Sequence, residues 1–446
     1  MPNLSDYQEV TVKRLLGNRR YGVFDEMGVG KTAPTIVAAG ETGEQTLVTA
    51  PAYLLENWER EIRMWLPNAT IARAFGDREG ERARRQTLFE SSPADFILTP
   101  YNSWHSYPVL LKRRWGNLVF DEAHRLRSQT SKWTKHVYQT QNIGMKNRDS
   151  RFWFLTGTPL VRDGGDVYPF LHLMDRQLFS SYWTFVERWC HLSRNPWFTE
   201  VGDVLDPVGF VQMMARYSIR RLQIQIPELA SLETIDQDIW VDLPPSVVEM
   251  IRRAKKEYVI RHPDLPDDLY YDGPGGLLQK LRELATIPPT QSKPKLTAFK
   301  DFLEDVPNER VVVFVWHRSI AEAVAQVAEK TKRPVQVITG DVRARYRVAA
   351  VDAYDNDPRT VLIGTIGAMK EGLNLQAGRH CVFLEESALP SDNEQAIGRL
   401  KRRGQTRPVL VTRIMANNSL DVVTHKNVGK RADSIRKALR EFVRSA

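Results

Sequence analysis

At 446 residues the chain is too long for one hydrophobic core and suits two or three domains. Hydrophobic residues make up 42%, no apolar run could span a bilayer, and the start, MPNLSDYQEV, lacks the basic-then-apolar block of a secretory signal, so a cytoplasmic protein with no membrane partner is expected. A net charge of +9 favours a polyanionic partner, while two cysteines, Cys190 and Cys381, exclude a disulfide framework or a cysteine-rich zinc site.

Taken in chain order, the first ~160 residues alternate short apolar runs with amphipathic stretches. The strands expected are Tyr21–Phe24, Thr46–Thr49, Ile71–Phe75, Phe96–Leu98, Leu118–Phe120 and Phe152–Leu155. Helical patterns lie between them at Tyr53–Trp65 and Glu79–Phe89. Strands alternating with helices imply a parallel sheet covered on both faces, with its ligand site at the carboxyl ends of the strands. Residues 164–220 read as helices rich in aromatics: Tyr168, Phe170, Phe179, Tyr182, Trp183, Phe185 and Trp189. Packing on the first lobe is their expected role. Pro244–Leu284 reads as helix broken by a Pro-, Asp- and Gly-rich loop at His262–Gly276. The strand–helix alternation then returns with Val311–Val315, a helix to Lys330, Val335–Ile338, Thr360–Ile363, His380–Leu384 and Pro408–Ile414. Basic residues concentrate at Lys112–Arg114, Arg125–Lys135, Arg399–Arg407 and Lys426–Arg444. The last stretch suits either a brace on the first lobe or a duplex-binding helix.

Three motifs follow strands. Asp25-Glu26-Met27-Gly28-Val29-Gly30-Lys31-Thr32 stands between a strand and a helix, the context of a phosphate-binding loop. Its glycines let backbone amides curl around phosphate oxygens, and the helix adds its positive end. Lys31 would reach the outer phosphates, and the Thr32 hydroxyl would hold magnesium. Asp25 occupies the first glycine position of the general pattern. Asp121-Glu122-Ala123-His124 can hold magnesium and polarise water. Leu155-Thr156-Gly157-Thr158-Pro159 suits a sensor of nucleotide state.

In this order the segments resemble superfamily 2 helicases and translocases, specifically the Swi/Snf-like branch in a compact bacterial or phage form. DEMGVGKT, Thr46–Pro51 with Asn57–Glu61, Ile97–Tyr101 and Leu155–Leu160 carry the likeness in the first half. Val311–His317, Gly364–Gln376 and Gln395–Gln405 (QAIGRLKRRGQ) carry it in the second, and Arg220-Arg221 and Ser292–Leu296 are weaker echoes. A Trp-Asn-Pro-like element common before the last motif is replaced by Ser387–Asp392.

The resemblance implies an α/β protein of two RecA-like parallel-sheet lobes with helical insertions. The expected division is lobe one with the ATP loop at 1–163, its helical insertion at 164–235, a second insertion or linker at 236–292, lobe two at 293–420 and a basic helix at 421–446. By the same resemblance, Gln8 recognises adenine, and Met27, Gly28, Val29, Gly30, Lys31 and Thr32 hold the phosphates. Thr32 and Asp121 serve Mg2+, and Glu122 serves water. Arg399 and Arg402 act as arginine fingers beside Gln395, and His124 couples sites. Thr99, Thr365 and Asn374 fall in nucleic-acid or cleft segments. Arg125, Arg127 and Lys132 on lobe one and Lys370 on lobe two are added as backbone contacts. The implied activity is an ATP-dependent, DNA-stimulated translocase on double-stranded DNA. Single-stranded DNA or RNA as partner, a strand-separating helicase, an inactive nucleic-acid clamp, and the motor of a repair, replication or restriction assembly stay open. Nucleoid association, or the host cytoplasm for a viral protein, follows from the same reading.

Overall fold

A computed structural model describes residues 3–73, 94–101, 113–128, 131, 134–135, 149–161, 163–194, 199–230, 232–263, 265, 267–271, 274–342, 344–369, 373–402 and 404–429. The chain divides into two compact units, one through Ile226 and the other from Pro227.

The first unit is built on seven strands: β1 (Arg20–Val23), β2 (Thr46–Ala50), β3 (Ile71–Arg73), β4 (Phe96–Pro100), β5 (Asn117–Asp121), β6 (Arg151–Leu155) and β9 (Ser218–Ile219). Their order in the sheet is β3-β4-β2-β5-β6-β1-β9, and all pairs are parallel. The central strands read as continuous apolar runs because both faces are covered. One face carries Phe24, Phe120, Phe152 and Phe154, the other Val23, Val48, Trp58, Val119 and Trp153. Helix α1 (Asp6–Gly17) opens on a capping box in which the Gln8 side chain accepts from the Ser5 backbone N–H at 3.1 Å. Helices α2 (Thr32–Glu41) and α3 (Leu55–Trp65) follow β1 and β2.

The segment at 164–220 departs from the all-helical expectation. Helices at Tyr168–Met174, Tyr182–Trp189 and Pro207–Ala215 are present, but β7 (Cys190–Arg194) and β8 (Thr199–Val204) form an antiparallel hairpin between them. Cys190, Leu192, Val201 and Val204 pack the hairpin against the core; the first two are two apart and the last two three apart, so an irregularity in the pairing breaks the alternation that marks a strand. Tyr168, Phe170, Phe179 and Phe185 are buried there, whereas Trp183 is 53% exposed.

The second unit has a six-stranded sheet of β10 (Thr234–Val241), β13 (Val311–Val315), β14 (Val335–Ile338), β15 (Val361–Thr365), β16 (His380–Phe383) and β17 (Val409–Ala416). Their order is β10-β17-β16-β13-β15-β14, again all parallel. Strand β10 was not anticipated, and with it the second sheet begins upstream of residue 293. Asp236, Gln237 and Asp238 interrupt its apolar character because it is an edge strand with one side solvated. Helices Pro245–Glu257 and Pro274–Thr286 flank a small pairing of β11 (Val259–Ile260) with β12 (Leu269–Tyr270), which replaces the expected bare loop.

Cys190 and Cys381 are buried free thiols; burial pushes Cys190 up to about 12 and raises Cys381 as well. Among the described residues no helix is long and apolar enough to cross a membrane. Residues 420–429 are helical. The expected helix at Glu79–Phe89, the end of the strand at Ile71–Phe75 and most of Lys426–Arg444 lie outside the described residues.

Candidate functional site

Pairing register assembles the site. Val23 of β1 sits opposite Leu155 of β6, and Leu155 sits opposite Asp121 of β5. Because the three neighbouring strands are parallel, all three motifs leave the sheet at one edge, across roughly 10 Å at ordinary strand spacing.

The phosphate loop turns at Gly28 (φ 79°) and Gly30 (φ 87°), a left-handed backbone that favours glycine. It delivers Lys31 to the N-terminus of α2. The Lys31 Nζ donates to the loop's own carbonyls, Asp25 O at 2.8 Å and Glu26 O at 3.2 Å. Burial holds its ammonium below the ordinary lysine range, Arg220 adds to this, and the carboxylates of Glu122, Asp25 and Asp121 oppose it. Lys31 therefore shares one electrostatic environment with the acidic pair. Gly157 lies against the same loop. A Cβ there would stand 2.6 Å from Met27 Cγ and 3.6 Å from Lys31 Nζ, so only glycine lets the β6 turn approach.

Asp121 is held on three sides. Trp58 Nε1 donates to Oδ2 at 2.8 Å, the Glu122 N–H to Oδ1 at 2.9 Å, and the Tyr101 hydroxyl to the Asp121 carbonyl at 2.9 Å. Burial first, then the Glu122 charge, pushes the Asp121 carboxyl above the usual range; the Trp58 bond and Lys31 pull it back. Glu122 adopts a left-handed backbone (φ 49°, ψ 48°), unusual for a residue with a long side chain. Its Oε2 lies 3.3 Å from His124 Nδ1, which is also 3.1 Å from Thr156 Oγ1 and 3.5 Å from Thr158 Oγ1. One imidazole thus touches both the acidic motif and the β6 turn, as suits a coupling residue.

Gln8 is buried, and its Nε2 donates to Gly30 O at 3.0 Å, while the Tyr7 hydroxyl donates to Val29 O at 2.9 Å. Helix α1 is therefore stitched to the phosphate loop. The residues after β9 hold the loop from another side. Arg220 donates to Phe24 O at 2.7 Å and Gly157 O at 3.2 Å. Arg221 pairs with Asp25, and Gln223 donates to Glu26 Oε2 and Met27 O, both at 2.6 Å. Sequence reasoning gave these residues, with Trp58 and Tyr101, no role in the site; Arg220-Arg221, Asn57–Glu61 and Ile97–Tyr101 were singled out only as segments of the resemblance.

In the second unit, Arg399 follows the helix Pro390–Ile397 and is 3% exposed; Gln395, on that helix, is also buried. Arg402 donates to Asn374 Oδ1, and to Leu373 O at 3.4 Å. Gln405 Nε2 donates to Gln376 O at 3.0 Å and Gly378 O at 2.8 Å, joining the last motif to the segment before β16. Thr365 ends β15, half-buried.

Thr99 is a correction: it is wholly buried within β4, so its side chain has no surface to offer nucleic acid. Arg125 and Arg127 are half-buried beside the acidic motif. Lys132 and Lys370 lie outside the described residues.

The donor set fits a magnesium-bound nucleoside triphosphate. Mg2+ prefers a hydroxyl, one or two carboxylates and substrate phosphates to an all-protein cage. Thr32 at the start of α2 and the crowded Asp121–Glu122 pair could supply the protein's share. Among the described residues no cluster of three or more His, Cys, Asp or Glu could hold a metal by itself.

A parallel sheet with a phosphate loop on its carboxyl edge and a second parallel-sheet unit after it defines a two-lobed protein of RecA-like architecture. The chain belongs to the SNF2 family of superfamily 2: the SNF2-related domain matches residues 8–257 and the helicase conserved C-terminal domain matches 294–404. It is 24% identical over 431 residues to the human DNA annealing helicase and endonuclease ZRANB3, covering 93% of this chain and 38% of that protein. It is 23% identical over 414 residues to the Drosophila melanogaster SWI/SNF-related matrix-associated actin-dependent regulator of chromatin subfamily A-like protein 1, covering 90% and 51%. The chain thus spans 38% and 51% of these two relatives' lengths. A solved structure, the Sulfolobus solfataricus SWI2/SNF2 ATPase core in complex with dsDNA, is similar at 19% identity and a TM-score of 0.45, covering 94% of this chain and 89% of that one.

Proposed function

We propose that this chain is a DNA-stimulated ATPase that couples Mg-ATP hydrolysis to movement along one strand of duplex DNA. The observation that carries the reading is the lateral register of Val23, Leu155 and Asp121, which brings a phosphate loop, a sensor turn and an acidic pair to one sheet edge. Membership of the SNF2 family supports the choice of nucleic acid as the second ligand.

In this mechanism the loop amides and Lys31 bind the β- and γ-phosphates, and Gln8 reads the base. Thr32 and Asp121 would hold Mg2+, which would neutralise phosphate charge there. Glu122 accepts a hydrogen bond from the attacking water and orients it. His124 relays the state of this water site to Thr156 and Thr158 through the contacts already described. Arg399 and Arg402, with Gln395 beside them, stabilise the transferring phosphoryl when the units close, a contribution of ~10³–10⁵ in rate for such fingers. Hydrolysis then depends on closure, and closure on grip of the strand. Backbone contacts fall to Arg125, Arg127, Asn374 and Thr365, with Lys132 and Lys370, and carry little sequence information.

The test compares steady-state ATP hydrolysis with duplex DNA, single-stranded DNA and RNA. Strongest stimulation by duplex DNA, without release of a strand from forked substrates, is expected. Preferential stimulation by single strands with unwinding would replace this reading with that of a strand-separating helicase.

A further inference from the structure

The phosphate loop carries an aspartate where the general pattern has its first glycine, and that aspartate is 1% exposed. A carboxylate so buried is costly unless fully paired. Its partner comes from 196 residues further on. Arg221 meets Asp25 three times: its backbone N–H donates to Oδ1 at 2.8 Å, Nε donates to Oδ1 at 3.1 Å, and a terminal nitrogen donates to Oδ2. The same guanidinium donates to Tyr7 O and Thr11 Oγ1 on α1 and lies over the Tyr7 ring, 5.0 Å from its centroid. It therefore touches both the loop that cradles phosphate and the helix that bears Gln8. The chain passes into the second unit six residues later, at Pro227.

We infer that Arg221 is a positioning residue for nucleotide binding: through Asp25, Tyr7 and Thr11 it locks the phosphate loop to helix α1, so that the triphosphate and base contacts form together. The inference rests on the ATPase reading above. Arginine suits the task because its planar fork serves several acceptors at once, whereas a lysine ammonium on its flexible stem cannot span Asp25, Tyr7 and Thr11 together. The Asp25 substitution then has a physical meaning. The loop exchanges a glycine for an anchor to a segment distant in sequence.

The test uses the full chain with Arg221→Ala, Arg221→Lys and the double variant Asp25→Gly/Arg221→Ala. The double variant removes the pair without leaving a buried charge and restores the common glycine, so it keeps the test open if Arg221→Ala fails to fold. Thermal melting identifies folded protein. Binding of Mg2+ with a fluorescent N-methylanthraniloyl ATP, and kcat and KM with saturating duplex DNA, are then measured. The folded variants should bind the nucleotide about tenfold or more weakly and show a KM raised to match, with kcat at saturating ATP changed less, since the network's charge-assisted bonds are worth at least that much. Arg221→Lys should recover only part of the affinity. A merely structural loss would lower kcat through the folded fraction and leave KM alone; that result, or wild-type affinity in the folded double variant, would overturn the inference. If wild type itself binds no Mg-ATP, the ATPase reading fails and this one with it. Normal wild-type binding beside unaltered variants refutes the role of Arg221 alone.

Discussion

Replacing Trp58 with phenylalanine isolates one support of the acidic pair. Trp58 is 1% exposed and its indole N–H bonds Asp121 Oδ2 at 2.8 Å, while the Glu122 N–H already serves Oδ1. Phenylalanine fills most of the volume but offers no donor. A hydrogen bond to a charged group is worth about 1.5–3 kcal/mol, and loss of a partner that orients a metal ligand typically costs about 10–100-fold in metal affinity or activity. Trp58→Phe should therefore raise the Mg2+ concentration for half-maximal ATP hydrolysis about tenfold or more, with a smaller fall in kcat at saturating Mg2+. A second readout follows from the sign of the proton balance. The Trp58 bond lowers the Asp121 carboxyl against the upward push of burial and Glu122, so removing it moves that group further up. Because kcat/KM reports the free enzyme, its acid limb should move to higher pH. The assay is steady-state hydrolysis with saturating duplex DNA, titrated in Mg2+ and in pH. An unchanged Mg2+ midpoint and an unchanged acid limb in a folded variant would refute the assignment of Asp121 to the metal.

Three further expectations accompany it. Lys31→Ala should abolish turnover and leave duplex binding in a gel-shift assay within about twofold of wild type, since backbone grip is assigned to other residues; equal loss of both would contradict that division. Arg402→Ala should lower kcat at least about a hundredfold with little change in nucleotide affinity, as expected of a transition-state contact; a wild-type rate would remove it as a finger. The His425 Nδ1–H donates to Glu386 Oε2 at 2.8 Å, a bond that raises the imidazole above its ordinary 6.5. Its stabilising contribution is therefore complete below pH ~6.5 and fades as pH rises through the raised value, so the melting-temperature gap between wild type and His425→Ala should be wider at pH 6 than at pH 8.5.

What could be read from sequence was what local pattern encodes. The continuous apolar run Val311–Val315, the glycine turn before Lys31, and the carboxylates closing Asn117–Asp121 are each encoded within a few residues, and parallel pairing in the first sheet brings the last two to one edge. The remainder is non-local. Nothing near Asp25 announces Arg221, and nothing near Asp121 announces Trp58, 63 positions away. The hairpin of β7 and β8 hides because its strands are five and six residues long, beside amphipathic helices, and the spacing of Val201 and Val204 breaks the alternation. Strand β10 hides because an edge strand with acidic residues reads as linker. Thr99 misled because a motif position says which segment matters, while β4 is covered on both faces and buries every one of its side chains.

The pairing of β10 with β17 bears on how the chain is made. Thr234–Val241 aligns residue for residue with Val409–Ala416, so the strand that opens the second sheet waits for one synthesised about 170 residues later. At ~5–20 residues per second that interval is roughly 10–30 s. The parallel sheet of the first unit has all seven of its strands once Ile219 has left the ribosome. During that interval Ile235 and Trp240, 48% and 42% exposed even in the finished fold, sit on an open β-edge. Asp236, Asp238 and Asp242 flank them with the charges that discourage a stray strand from docking there first.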